Sequence, residues 1–232
     1  MPHHLSGDFQ GKLFDEKISI KALSNIDSLK FVSKGFADIE MVNTITDLSI
    51  QDYFEGSFEY LAEMVFATEG TNRSNFSLLT DLEGMSVKLP LPFFKKQKES
   101  TEFKIDIDFD EDKEVIFLSY ADHNLFLTTQ EKEIINGAIA FSESLPLKNL
   151  PQNSGLMMGK LQSINLDEYL DFLSNSESPA IPWELRDLQI EQVNFRDVAL
   201  QEVIVKGKLG GLSTKVALQS RVINGLIEIE KE

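Results

Sequence analysis

The chain has 232 residues, 42% of them hydrophobic and 26% charged. Those proportions exclude wholesale disorder and allow one large domain or two small ones. Twenty-two Lys and Arg against 38 Asp and Glu leave a net charge of −16, which excludes a nucleic-acid surface built on phosphate contacts and docking on anionic lipid by charge alone.

No cysteine is present, so disulfides, thiolate nucleophiles and Cys-ligated metals are excluded. The opening residues, Met1-Pro2-His3-His4-Leu5-Ser6-Gly7-Asp8, lack the apolar stretch of a secretory signal. No run of about 18 apolar residues suits a bilayer span. The chain is therefore expected to be cytosolic, or a piece of something longer whose address lies elsewhere.

Alternation dominates from there on. Ile18, Ile20 and Ala22 alternate with Ser19 and Lys21, which reads as a strand with one wet and one dry face. A short helix is expected over 47–54, started by Thr46 and stopped by Gly56, although Leu48, Ile50 and Phe54 keep only rough helical spacing. Pro90 and Pro92 cannot donate to a ladder, so Leu89-Pro90-Leu91-Pro92 ends a strand or lies on an edge. Lys95, Lys96 and Lys98 read as a solvated basic cluster on the following loop, with a lipid headgroup contact as the sharper alternative. Phe103, Ile105, Ile107 and Phe109 alternate with Lys104, Asp106, Asp108 and Asp110, the clearest period of two in the chain.

Turns are expected at Glu111-Asp112, Asp122-His123-Asn124, Asn136-Gly137, Gly210-Gly211 and Asn224-Gly225, because Asn, Asp and Gly tolerate positive φ. A second helix is expected over 166–173. Asn165 can cap it, Glu168 follows three residues on, and Leu166, Tyr169, Leu170 and Leu173 share a face. The polar loop from Ser174 to Pro179 is the expected seam between a segment over 1–174 and a C-terminal β-meander over 175–232. Trp183, the sole tryptophan, follows it. Leu188 with Ile190, Val203 with Val205, Val216 with Leu218, and Ile227 with Ile229 set the dry faces of the closing strands. One-sided alternation of this kind favours an antiparallel sheet.

Catalytic chemistry is hard to find. Asp122 adjoins His123, but sequence neighbours do not supply Ser–His–Asp geometry. Asp106, Asp108 and Asp110 resemble the start of a calcium loop, yet Glu111 and Phe117 stand where its Gly and Glu are required. Gly155-Leu156-Met157-Met158-Gly159-Lys160 is too short for a phosphate-binding loop and lacks the Ser or Thr after Lys. Asn72-Arg73-Ser74 and Asn75-Phe76-Ser77 match the glycosylation sequon, a pattern short enough to arise by chance. No spacing identifies a pair of glycosidase carboxylates. Neither an enzyme nor a metal or cofactor is expected.

One block is more specific. From Phe76 through Asp81-Leu82, Gly84, Leu89-Pro90-Leu91-Pro92 and Lys95-Lys96, the sequence resembles a segment of the YhdP family, large AsmA-like bacterial envelope proteins. Thr80 stands where that family often has Ser. The stretch from Gly155 to Tyr169 is similar to a second family segment, with Tyr169 in place of the usual Trp. The strands from Leu185 to Glu230 share its rhythm, including Gly225-Leu226-Ile227-Glu228-Ile229.

The resemblance implies an elongated, curved antiparallel sheet forming an apolar trough, with one or two short helices. It further implies phospholipid as partner and passage of lipid between inner and outer membrane. It also implies a periplasmic location, with anchoring through an N-terminal segment outside this sequence. Envelope proteins are further candidate partners. The candidate acyl-chain residues are Phe103, Ile105, Ile107, Phe109, Leu188, Ile190, Val203, Val205, Val216, Leu218, Ile227 and Ile229. Two other readings stand beside this one. The first is a closed β-domain in which these residues are ordinary core and the protein is a structural or protein-binding scaffold. The second, weaker, is a carbohydrate-active β-sandwich enzyme.

Overall fold

Alternation becomes strand through most of the chain. The computed structural model describes residues 5–46, 50–68, 73–147, 150–174, 181–210 and 213–230, and these form fifteen strands and two short helices. The chain makes two compact units.

The first unit comprises Met1–Leu89 and Phe94–Ala121. It contains β1 (Leu5–Leu13), β2 (Glu16–Ser24), β3 (Ser28–Asp38), α1 (Ile39–Thr46), β4 (Phe54–Ala67), β5 (Ser74–Thr80), β6 (Met85–Val87), β7 (Phe103–Phe109) and β8 (Lys113–Tyr120). Its sheet runs β1-β2-β3-β4-β5-β7-β8 with every pair antiparallel, and β6 pairs with the start of β4.

The second unit comprises Pro90–Phe93 and Asp122–Glu232. It holds β9 (His123–Gln130), β10 (Glu133–Phe141), β11 (Gly155–Asn165), α2 (Leu166–Ser174), β12 (Trp183–Phe195), β13 (Val198–Leu209), β14 (Ser213–Gln219) and β15 (Asn224–Glu230). These strands neighbour one another in chain order.

The fold class is therefore mainly β, with open sheets and two short helices, as the alternation indicates. Within the second unit the β10–β11 and β11–β12 pairs are parallel. Parallel neighbours need a long crossover, and α2 lies on the one between β11 and β12. The two units divide after Ala121, whereas residues 175–179 of the loop expected to be the seam lie outside the described residues.

Local chemistry explains where the elements start. The helix expected over 166–173 forms as α2. Asn165 Oδ1 accepts from the Asp167 amide at 3.1 Å and Asn165 Nδ2 donates to Glu168 at 3.0 Å, so one side chain serves both ends of the cap. The helix expected over 47–54 is not found there. Residues 47–49 lie outside the described residues, residues 51–53 form a turn, and Phe54 opens β4. The first helix is instead α1, because Asp38 Oδ1 accepts from the Met41 amide at 2.8 Å. Its Ile39 and Met41 are buried, a better-anchored face than the loose spacing after Thr46 could offer.

Two expected turns are also corrected. Asn136-Gly137 lies inside β10, at a register shift against β9. Asn224-Gly225 pairs inside β15 with Gln219 and Leu218. Ser220 makes the turn before β15, accepting at Oγ from the amides of Val222 and Ile223 at 3.3 and 3.0 Å. That side chain takes over the role expected of Asn-Gly. Likewise His123, expected in a turn, is the first residue of β9.

Candidate functional site

Residues paired across neighbouring strands share a face of the sheet. In the first unit the register sets Ala22, Phe31, Met64, Phe76, Ile107 and Ile116 in one row across six strands. A second row holds Ile20, Ser33, Ala62, Leu78, Ile105 and Leu118. At about 4.8 Å per strand each row is about 24 Å long. Every residue of both rows is half-buried. The opposite face carries charge in pairs: Lys30 with Glu63 at 2.6 Å, Lys34 with Glu59 at 3.0 Å and Lys104 with Asp106 at 2.6 Å. One face is thus apolar and partly open, while the other carries these ion pairs beside the exposed side chains of Phe36, Leu61 and Leu79.

The fully buried residues of this unit collect toward one end of the apolar face. Ala37, Phe58, Tyr60, Thr80 and Tyr120 come from the strands, Ile39 and Met41 from α1, and Leu82, Met85 and Val87 from the segment after β5. Burial pushes the Tyr120 phenol up to about 12.

Lys95 organises this cap. It is 2% exposed, and Nζ donates to the carbonyls of Leu82 and Met85, each at 2.7 Å, and of Lys96 at 3.2 Å. All three ammonium protons therefore have acceptors. Burial lowers its pKa, while Glu99, Asp81 and Glu83 pull the other way. Its backbone exchanges bonds with Val87 at 2.9 and 3.0 Å. Thr80 Oγ1 accepts from the Leu82 amide at 3.0 Å. Gly84 sits at φ +96, where a Cβ would fall 2.4 Å from the Ser57 carbonyl oxygen. The block that carries the family resemblance is thus a backbone knot around one lysine. The solvated reading of Lys95 is corrected, whereas Lys96 and Lys98 are exposed. The signal in the sequence is the fixed spacing of Lys95 from Gly84, Pro90 and Pro92.

The candidate acyl-chain residues fall into two groups. Phe103, Ile105, Ile107 and Phe109 lie on β7 in the first unit, all half-buried on the apolar face. In the second unit Leu188, Ile190, Val203 and Val205 are 5%, 2%, 1% and 6% exposed and cluster with Phe141, Leu161, Leu185 and Val193. Val216 and Leu218 pack against that cluster, as do Phe93 and Leu166. Asp187, at φ +51, sits in a register shift between Leu185 and Leu188. Such a bulge lets residues three apart face the same way. The side chains of Ile227 and Ile229 lie outside the described residues.

Two further residues of the second unit escape a reading by alternation. A Cβ on Gly155 would lie 2.3 Å from the Trp183 ring, and one on Gly137 would lie 3.2 Å from it. Those glycines are the floor on which the indole lies. His123 stacks edge-on between Phe93 and Phe141, with centroids 5.9 and 5.5 Å away. Its Nδ1 is buried without a hydrogen-bond partner. The nearest carboxylate oxygen, Asp122 Oδ1, is 3.4 Å off but outside hydrogen-bonding geometry. Asp122 is held below its ordinary pKa chiefly by a hydrogen bond from Ser142. Burial lowers the imidazole below 6.5. An imidazole wedged between two phenyl rings is not presented to a substrate.

Elsewhere, a cleft of about 510 Å³ beside α1 is lined by Asp38, Asn43, Gln51 and Phe54. A smaller, more enclosed one of about 360 Å³ is lined by Ser6, Ser24, Lys30 and Glu63. Both mix polar and apolar walls. Among the described residues no group of three His, Asp or Glu side chains can hold a metal ion, and no helix is long and apolar enough to cross a membrane. Asp106, Asp108 and Asp110 do not converge; Asp106 pairs with Lys104 and Asp110 with Arg73.

A mainly antiparallel open sheet with two short helices is the architecture that the family resemblance implies. The chain belongs to the YhdP family, whose model, described as YhdP protein, matches residues 4–232. That family is one of bacterial envelope proteins. Searches of curated proteins and of solved structures return no match.

Proposed function

We propose that this chain is a module of a longer periplasmic protein, attached to the inner membrane through a segment outside this sequence. In this reading it shields the acyl chains of phospholipids as they pass between inner and outer membrane. The observation that carries the reading is the half-open apolar face of the first unit. Phe31, Met64, Phe76, Ile107 and Ile116 form a row in which each residue stays partly exposed.

A row of about 24 Å exceeds the depth of one leaflet, half of a hydrocarbon core of about 30 Å. Each methylene removed from water contributes about 0.8 kcal/mol. Ten of them half-covered by the groove then contribute about 4 kcal/mol, enough to hold a chain and little enough to let it move on. No catalytic group is needed, since the headgroup stays in water. Phe103, Ile105, Ile107 and Phe109 are the track residues on β7.

The test is lipid extraction from the purified chain followed by mass spectrometry. Phospholipid is expected with the native sequence and a severalfold loss with Ile107→Asp, which sets a charge within the row. A native chain free of lipid, and blind to photoactivatable lipid in vesicles, would end this reading. The second reading, a closed scaffold, is favoured for the second unit by its filled cluster around Ile190 and Val203.

A further inference from the structure

We propose that the turn between β14 and β15 is a membrane-contact tip, which dips Val222, Ile223 and Leu226 into the interface of a phospholipid bilayer. This surface is separate from the apolar rows of the first unit and stands without them. Val222, Leu226 and Ile223 are 77%, 65% and 46% exposed, three open aliphatic side chains at one turn. Charge is segregated in their favour. In a chain of net charge −16, residues 203–227 hold no Asp or Glu and carry Lys206, Lys208, Lys215 and Arg221. Arg221, which donates to Glu202 at 2.6 Å, adjoins Val222 and stays among headgroups while its neighbours go deeper, as long cationic side chains do.

The backbone of the tip suits a medium short of water. Ser220 Oγ accepts from the amides of Val222 and Ile223. The Ser220 amide and hydroxyl both donate to the Ile223 carbonyl, at 2.9 and 3.1 Å. Backbone groups left bare oppose entry into lipid, and these are satisfied within the turn. Size then selects a bilayer over a folded partner. Three side chains fall far short of the roughly 800 Å² per partner that a stable protein interface buries, and Ser220, Arg221 and Asn224 around them are polar. A bilayer interface takes up aliphatic side chains one by one. The β1–β2 turn gives the contrast. Leu13 and Phe14 are exposed there too, but Asp15 and Glu16 follow them, and carboxylates hold that turn in water.

The chain has no cysteine, so Val222→Cys carries a single NBD fluorophore at the tip, and Phe14→Cys carries one at the contrasting turn. Each full chain is mixed with phosphatidylcholine vesicles, with and without doxyl-labelled phosphatidylcholine. A severalfold rise in NBD emission, quenched by the doxyl lipid, is expected at the tip and none at the β1–β2 turn. Leu226→Asp in the Val222→Cys chain should lower vesicle partition about tenfold or more, the factor matching about 1.4 kcal/mol of lost apolar burial. Leu226→Ser should lower it less, and circular dichroism reports that both keep the fold. Ile107→Asp should leave the rise at the tip intact, so the tip and the lipid-shielding reading fail separately. No rise at the tip, equal rises at both turns, or a rise untouched by Leu226→Asp each overturns the proposal. A rise that needs no vesicles and grows with protein concentration assigns the surface to a second copy of the chain and overturns it as well.

Discussion

Lys95→Met should unfold the cap of the first unit more readily than any other lysine substitution in the chain. Met matches the length of the aliphatic stem but ends in a thioether, so the carbonyls of Leu82, Met85 and Lys96 lose the donor they now share. A hydrogen bond to a charged group contributes about 1.5–3 kcal/mol net, and the two at 2.7 Å are the short, buried ones. Those values are already net of the cost of holding the ammonium out of water. The Leu82 carbonyl also keeps its bond from the Met85 amide at 3.1 Å. The balance is a loss of about 2–4 kcal/mol. Urea unfolding followed by far-UV circular dichroism, with hydrogen exchange on peptides covering 81–101, reads it directly. Trp183 belongs to the second unit, so its fluorescence should move less. Lys96→Met and Lys98→Met, at exposed positions, should stay within about 0.5 kcal/mol. A Lys95→Met chain within about 0.5 kcal/mol of the native one would show that the ammonium returns no more than its desolvation takes.

Gly155→Ala sets a methyl 2.3 Å from the Trp183 ring and should cost more than about 2 kcal/mol by overpacking, with a red shift of the single tryptophan's emission. Gly84→Ala combines φ +96 with a Cβ 2.4 Å from the Ser57 carbonyl; a chain of unchanged melting temperature would contradict the strain argued there. The pKa of His123 in the folded chain lies below its ordinary 6.5 because of burial, so in the window between those two values the unfolded chain binds the extra proton. Stability of the second unit should therefore fall as pH drops from 7 to 5, and His123→Phe should flatten that slope in urea titrations read by Trp183.

The sequence made some of this architecture legible and hid the rest for physical reasons. Alternation at Phe103, Ile105, Ile107 and Phe109 located β7 and its dry face, because period two is a property of a single strand. The Asn165 cap located α2 for the same reason: donor and acceptor lie within three residues. The spacing over 47–54 predicts a helix only because its apolar residues are read without their partners; in the described part, 51–53 form a turn and Phe54 a strand. Asp38 caps α1 instead, and Ile39 and Met41 are buried as α1 packs on β3 and β4. Gly137 reads as a turn residue because conformational freedom is the usual reason for glycine. Here the reason is space, set by Leu127 and the Phe126 carbonyl on the neighbouring strand together with the Trp183 ring. Lys95 was hidden most thoroughly. A lysine between two exposed neighbours, Phe94 and Lys96, carries no local sign of burial. Its acceptors are backbone carbonyls, which every sequence supplies.

The same limit governs the apolar faces. A pattern of alternate apolar residues states that one face avoids water, but does not state what covers it. Ile107 and Ile190 sit in equally regular strands, Phe103–Phe109 and Trp183–Phe195. Ile107 is left half-open, while Ile190 is 2% exposed. The difference lies in the segments between strands. In the first unit the residues after β5 are drawn to one end by Lys95 and cap only the strand termini there. In the second, Phe93 and Leu166 pack on the cluster around Ile190 and Val203. Ile107→Asp and Ile190→Asp separate these cases. At Ile107 the carboxylate keeps partial access to water, so lipid should be lost and the fold kept, with a stability change under about 1 kcal/mol. At Ile190 an unpaired buried charge should unfold the second unit outright. Equal damage at both positions, read by circular dichroism and by Trp183 fluorescence, would mean that the first face is covered after all and would remove the physical basis for lipid in this chain.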